Sequence, residues 1–205
     1  MAFFKTKKDK SSDEPRRSAV EIGLDYLHDV VYILAVVLLL FTFCVRVVIV
    51  SGSSMFSTLA DGDCLLLLNR PLCGELEQGD IVVASMERFK NGEAIVKRVI
   101  ATEGQNVDID FLHGIVYVDG VALEEDYIYS PTSMAEGMEF PLVVEEGCLF
   151  LMGDNRMDSR DSRAPEIGQV DEREILGRAI FLALPGTGRG EYTVDWDPGR
   201  IGGLN

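Results

Sequence analysis

Residues 30–50, VVYILAVVLLLFTFCVRVVIV, hold 19 apolar side chains in 21 positions. No charge interrupts residues 30–45, and Thr42 is the one residue there that is not apolar. A helix needs ~20 such residues to cross a bilayer core, with a lower limit near ~17. Ile22, Leu24, Tyr26 and Leu27 extend the run at its N-terminal side. Tyr26 and Tyr32 suit the headgroup level, and Arg46 suits snorkelling at the far interface. A cleaved leader would show a shorter core of ~7–15 residues ending in a small-x-small site. FCVRVVIV has no such site. The run therefore predicts one retained transmembrane helix over residues 25–46, with the lipid bilayer as its partner.

Charge divides the chain on either side of that helix. The 205 residues carry a net −15, yet the first 29 hold six basic and six acidic side chains. From residue 47 onward, 12 Lys and Arg face 28 Asp and Glu, a net of −16. Lysines and arginines set orientation more than acidic residues do. Six of them lie in the first 17 residues, and after Arg46 the next is Arg70. The N-terminus is expected in the cytoplasm and the acidic part outside. Residues 4–17 are polar and poor in apolar side chains, so residues 1–24 read as a disordered cytoplasmic tail. A strongly acidic outer part lacks the concentrated basic face that phosphate backbones require, which argues against nucleic acid as the partner.

The outer part reads as mainly β. Short β-branched stretches such as QGDIVVASM, EAIVKRVIATEG and HGIVYVDGVAL alternate with turn signals at Asp61-Gly62, Asn91-Gly92, Asp119-Gly120 and Pro185-Gly186. This is the pattern of a largely antiparallel barrel- or sandwich-like domain. It is placed over residues 47–184, with a Gly-rich C-terminal tail over 185–205. Cys64, Cys73 and Cys148 lie in this part, an odd number without C-x-x-C spacing. A Cys64–Cys73 bridge and three small buried hydrophobes are both open readings.

Three clusters are candidates for chemistry. The first is Ser51-Gly52-Ser53-Ser54-Met55-Phe56-Ser57-Thr58-Leu59, directly after the apolar run. A serine hydroxyl needs a base to become a nucleophile. The second cluster offers one. Strand alternation places Lys97 on one face with Ile95 and Val99, and Arg98 on the other with Val96 and Ile100. Burial lowers a lysine pKa, whereas arginine stays protonated, so Lys97 is the base candidate of the pair. The third cluster, residues 153–163, packs three carboxylates and three arginines into GDNRMDSRDSR. Its spacing fails the EF-hand pattern: with Asp154 as position 1, Arg156 falls at position 3 and Ser159 at position 6. No metal site is expected. His28 and His113, the only two histidines, lie far in sequence from any candidate nucleophile, which disfavours a histidine base.

In order and spacing, these clusters resemble the bacterial type I signal peptidase family. That family shows a membrane anchor, S-M-x-P-T-L, a G-D-I/V-V strand, K-R-V-I-x-x-x-G and G-D-N-R-x-x-S-x-D-S-R. This chain has Ser54-Met55-Phe56-Ser57-Thr58-Leu59, Gly79-Asp80-Ile81-Val82-Val83, Lys97-Arg98-Val99-Ile100 with Gly104, and the whole last motif. The likeness spans about residues 30–184. It implies an endopeptidase on the outer face of the plasma membrane, acting on preproteins with signal peptides, as a monomer and without cofactor or metal. Carried over by motif, Ser54 is the nucleophile and Lys97 the base. Ser159 orients the lysine amine. Asp161 and Arg163 support the site by a salt bridge, with Arg98 nearby. Gly153, Asp154 and Asn155 shape the loop. Gly52, Ser53, Ser54, Met55 and Val96 contribute to the oxyanion hole or to substrate binding, the Ser54 N–H being the main oxyanion donor.

Two positions depart from the family pattern. Ser57 stands where the family has proline, which loosens the turn after the nucleophile. Gly52 stands where some relatives place a serine as second oxyanion donor, leaving Ser51, Ser53 or a backbone amide for that task. Three competing readings are weaker. A self-cleaving repressor-type peptidase is cytosolic, which the anchor opposes. An endoplasmic-reticulum-type peptidase uses histidine in place of Lys97. A tethered binding domain without activity has only the Ser57 departure in its favour.

Overall fold

The strands follow from where the apolar residues fall, and a computed structural model describes residues 19–204. In the central stretch Ile81–Ser85 (β3), four successive residues are buried. Ile81 and Val83 pack with Leu65, Leu67 and Ala179, while Val82 and Ala84 pack with Val99, Leu149 and Leu151. A strand buried on both faces has no need of polar alternation, which is why IVVA reads as a continuous apolar run. At the margins one face is wet. Cys64–Asn69 (β2) alternates, with Leu65 and Leu67 buried and their neighbours half-buried.

The remaining strands of this first sheet are Val45–Ile49 (β1), Ala94–Ala101 (β4), Cys148–Met152 (β9), Val170–Asp171 (β10), Ile175–Leu184 (β11) and Gly202–Gly203 (β12). The order is β1-β2-β11-β3-β4-β9-β10, with β12 added to β11. A second, four-stranded sheet is built from Asn106–Asp110 (β5), Ile115–Val118 (β6), Val121–Ala122 (β7) and Leu142–Val143 (β8), ordered β7-β6-β5-β8. Every pairing is antiparallel. The expectation of a mainly β, antiparallel domain holds, in the form of two sheets. Val107, Ile109, Val116 and Val118 of the second sheet share a core with Ile100, Phe150 and Met152 of the first. Thus β4 packs Val99 into one core and Ile100 into another.

The apolar run forms one helix, Ala19–Phe43 (α1). Its segment Val20–Phe43 is long and apolar enough to cross a membrane, with a mean hydropathy of 2.1. Its bounds differ from residues 25–46. The helix takes in residues 19–24, which were expected to belong to the tail, because AVEIGL holds no proline and its single glycine, Gly23, costs only about 1 kcal/mol. It stops before Val45-Arg46-Val47-Val48-Ile49, whose β-branched residues pair with Leu68 to Cys64 instead. Arg46 is therefore a strand residue opposite Leu67. The expected tail over residues 1–18 lies outside the described residues. Helix α1 up to Leu40 forms one compact unit and the chain from Phe41 another. Residues 185–204 are joined to the second unit: β12 extends β11, and Arg200 pairs with the buried Asp63 at 2.6 Å. All four cysteines are free, and Cys73 is buried with its thiol donating to the Leu68 carbonyl at 3.1 Å. Cys73 fits the buried-hydrophobe reading, whereas Cys64 and Cys148 are only partly buried. His113 lies in the turn between β5 and β6, exposed beside Asp110.

Candidate active site

The turn that follows β1 carries Ser54. Its neighbour Met55 is 1% exposed and, with Leu59, is sunk into the core formed by Leu65, Leu67 and Val83. Two apolar side chains thus hold a polar loop by its far side. Across from it, β4 presents Lys97, 3% exposed, paired in the ladder with Val82. Lys97 Nζ donates to Ser54 Oγ at 2.5 Å and to the Val96 carbonyl at 3.0 Å. Burial drives the Lys97 pKa from 10.5 to about 8, against the opposing pull of Asp161 and Asp154. An amine pushed toward neutrality and in contact with a hydroxyl is equipped to take that hydroxyl's proton.

The loop after β9 brings the third cluster to the same place. Gly153 has no room for a side chain: a Cβ there would meet Ser159 Oγ at 2.2 Å and the Ser54 carbonyl oxygen at 2.4 Å. The Asn155 N–H donates to that carbonyl at 3.0 Å, and its amide donates to the Ser53 carbonyl at 3.3 Å. The loop therefore grips the Ser53–Ser54 backbone directly. Arg163 clamps Asp161 with two bonds of 2.8 Å, both side chains fully buried. Burial alone would raise the Asp161 pKa, but Arg163, the Gly153 N–H and the Ser159 hydroxyl hold it low. Ser159 donates to Asp161 at 2.7 Å and not to Lys97. Sequence reasoning put Ser159 against the lysine, whereas the structure joins it to Asp161, beside the same cavity.

Arg98 differs more from its expected place. Its guanidinium is 4% exposed and grips Asp154 at 2.9 and 2.7 Å, stacked over the Tyr127 ring at 4.1 Å. Asp154, expected only to shape the loop, is thus the counter-charge that makes a buried Arg98 tolerable. Both cations of β4 are buried, one kept charged and one driven toward neutrality. Arg156, fully buried, pairs with Glu125 and Thr132. Glu136 lines the cavity and sits 3.4 Å from Arg163. Burial and the nearby Asp161 raise its pKa. Glu125, Glu136 and Asp63 were missed, since each meets its arginines across 24 residues or more and no local spacing announces it.

A groove of about 400 Å³ opens in front of Ser54 and Lys97, walled by Val48, Val50, Met55, Val83 and Val96 among others. Its sides are two strand edges. Among the described residues, β1 bonds only to β2, and residues 94–97 of β4 bond only to β3, because β9 pairs with β4 from Arg98 onward. On the floor, the Ser54 N–H donates to no protein group among the described residues. The Gly52 N–H is taken by Asp61 at 2.7 Å, and the Ser53 hydroxyl by Asp158 at 2.5 Å. Of the expected second oxyanion donors, the Ser53 side chain and Gly52 amide are therefore engaged elsewhere. The peptide bond between Phe56 and Ser57 is cis.

A serine hydroxyl in contact with a buried lysine amine, at the end of a groove edged by bare strands, is an arrangement suited to serine–lysine chemistry. Comparison with known proteins agrees. A family model described as signal peptidase, peptidase S26, matches residues 23–184. Signal peptidase I of Bacillus amyloliquefaciens is 33% identical over 76% of this chain and 82% of its own. A probable signal peptidase I of Synechocystis is 35% identical over 69% and 72%. Signal peptidase I T of Bacillus subtilis is 31% identical over 87% and 94%. The crystal structure of a signal peptidase I from Enterococcus faecalis is 29% identical, covering 51% of this chain and 96% of that one, with a TM-score of 0.42. The chain belongs to the signal peptidase family, peptidase S26, and is a serine endopeptidase of the signal peptidase I kind.

Proposed function

We propose that this enzyme removes signal peptides from exported preproteins at the outer face of the plasma membrane, with Ser54 as nucleophile and Lys97 as general base. The contact of 2.5 Å between Lys97 Nζ and Ser54 Oγ carries the reading. Neutral Lys97 accepts the hydroxyl proton while Oγ attacks the carbonyl after a small residue. The proton passes to the leaving amine, and water then hydrolyses the ester on Ser54 with Lys97 again as base. The Ser54 N–H receives the oxyanion, a donor of a kind worth ~10²–10³ in rate. Asp161 bears on the lysine through its charge, and Ser159 and Arg163 hold Asp161 in place. They form a hydrogen-bonded, charge-compensated wall that does not itself titrate near neutrality.

The substrate lies extended in the groove, adding a strand alongside residues 48–52, where the Val50 and Gly52 N–H groups are already held by Asp63 and Asp61, and along the bare edge at residues 94–97. Val96 and its apolar neighbours leave shallow room, which favours alanine-like residues before the bond. Residues 25–46 were expected to hold the chain in the lipid, and α1 supplies a span of that kind, with the basic N-terminus in the cytoplasm. Each chain works as a monomer. The test is processing of a preprotein with an Ala-x-Ala site. Ser54→Ala and Lys97→Ala are each expected to lose at least about 10³-fold in turnover. Wild-type processing by either variant would refute the pair.

A further inference from the structure

Residues 185–204 lie beyond the stretch matched by the family model, yet part of this segment packs against the backbone leading to Ser54. Gly186 sits against the Asp61–Asp63 turn, where a Cβ would meet Asp61 O and Gly62 C at 2.4 Å. Its N–H donates to Asp63 at 2.6 Å, the Gly188 N–H donates to the Asp61 carbonyl at 3.0 Å, and Arg189 pairs with the Asp61 carboxylate at 3.3 Å. That carboxylate also accepts from the Gly52 N–H, two residues before Ser54. The Tyr192 ring then folds onto Phe56 and Tyr129, with centroids 5.3 and 6.0 Å away. A second cavity of about 310 Å³ results, lined by Gly52, Ser53, Asp61, Arg189, Glu191 and Tyr192. It shares Gly52 and Ser53 with the catalytic groove, so the two hollows meet on the backbone leading into the nucleophile.

We propose that this second cavity receives the polypeptide that follows the scissile bond, the first residues of the released protein. The inference rests on the serine–lysine reading above. The groove with the bare strand edges takes the residues before the bond, so the chain after it must leave past Ser54, and the adjoining hollow is this one. Its walls suit a polypeptide of varied sequence. Tyr192 offers an aromatic ring, Gly52, Ser53 and Gly190 leave main chain close to the hollow, the Arg189–Asp61 ion pair closes one wall, and Glu191 forms no ion pair among the described residues. Asn155, which holds the Ser54 carbonyl, also neighbours the Tyr192 hydroxyl. Occupancy of this hollow therefore bears on the turn that carries the nucleophile.

The experiment compares two peptides with the same leader and cleavage site, using the full chain in detergent micelles. One peptide continues for several residues after the bond; the other ends at the first residue after it. The wild type should cleave the long peptide with the higher kcat/KM. Tyr192→Ala should cut that preference about three- to tenfold, chiefly through KM, the range one aromatic contact carries. Trp196→Ala, exposed on the same segment and outside the cavity, should keep the wild-type preference. The short peptide serves as the internal check on folding. Equal losses on both peptides for Tyr192→Ala, or a wild type indifferent to length, would overturn the inference. Wild-type cleavage of the short peptide by Ser54→Ala would overturn the serine–lysine reading beneath it.

Discussion

A lysine amine beside a serine hydroxyl is useful as a base only when it is neutral. Burial places the Lys97 pKa at about 8, so the neutral fraction grows as pH rises through that value. Below it, kcat/KM should climb about tenfold per pH unit and level off above it. A pH profile of cleavage on a short peptide measures this, and a rate flat from about pH 6 to 10 would exclude a lysine base. Asp161 does not add a limb in this window, since its hydrogen bonds hold it ionised. Ser54, Lys97, Asp161 and Arg163 were legible in the sequence because their motifs keep fixed spacing within short segments. The Arg98–Asp154 clamp was not, since its partners stand 56 residues apart and strand alternation says only which face a cation occupies, not what meets it there.

At the scale of elements, three arginines are withdrawn from water and each is met by a carboxylate from another part of the chain or the same loop: Arg98 by Asp154, Arg156 by Glu125 and Arg163 by Asp161. Such pairs are weak evidence of net stability, but removing one partner strands the other charge. Asp63 carries the same argument to the C-terminal segment. It is fully buried and accepts from the Ala60 and Gly186 N–H groups as well as from Arg200. Asp63→Ala should destabilise the protein by about 3 kcal/mol. Thermal unfolding of the full chain in micelles measures the loss, and an unchanged midpoint would show that the segment is not fastened through this residue. The strand stretches were readable from β-branched runs and turn pairs. The helix end was not, because Val45–Ile49 is apolar enough to prolong α1 and becomes a strand only by pairing with β2. Local composition does not reveal that Val45 finds its partner in Leu68.

For the whole molecule, charge is distributed by side. The segment before α1 concentrates lysine and arginine, whereas the chain after residue 46 is strongly acidic. The proposed orientation, N-terminus inside, predicts that protease added to intact protoplasts removes the β domain and spares an N-terminal tag. Loss of the tag with the β domain spared would reverse the orientation. The Gly-rich composition of residues 185–205 suggested little beyond a tail. Its attachment depends on glycine for another reason: Gly186 approaches the Asp61–Asp63 backbone more closely than any side chain permits.

The bare edges of β1 and β4 have a consequence for which preproteins are cut. A strand edge recognises a row of unsatisfied N–H and C=O groups at the spacing of extended chain. A leader still coiled as a helix has turned those groups inward upon itself. In the strand-addition mode proposed above, the groove screens main-chain shape ahead of side-chain size, and a cleavage site embedded in rigid helix would be passed over even with alanine in every required place. Uncoiling just before the cut, which any helix-breaking residue there would promote, becomes part of the address that the enzyme reads.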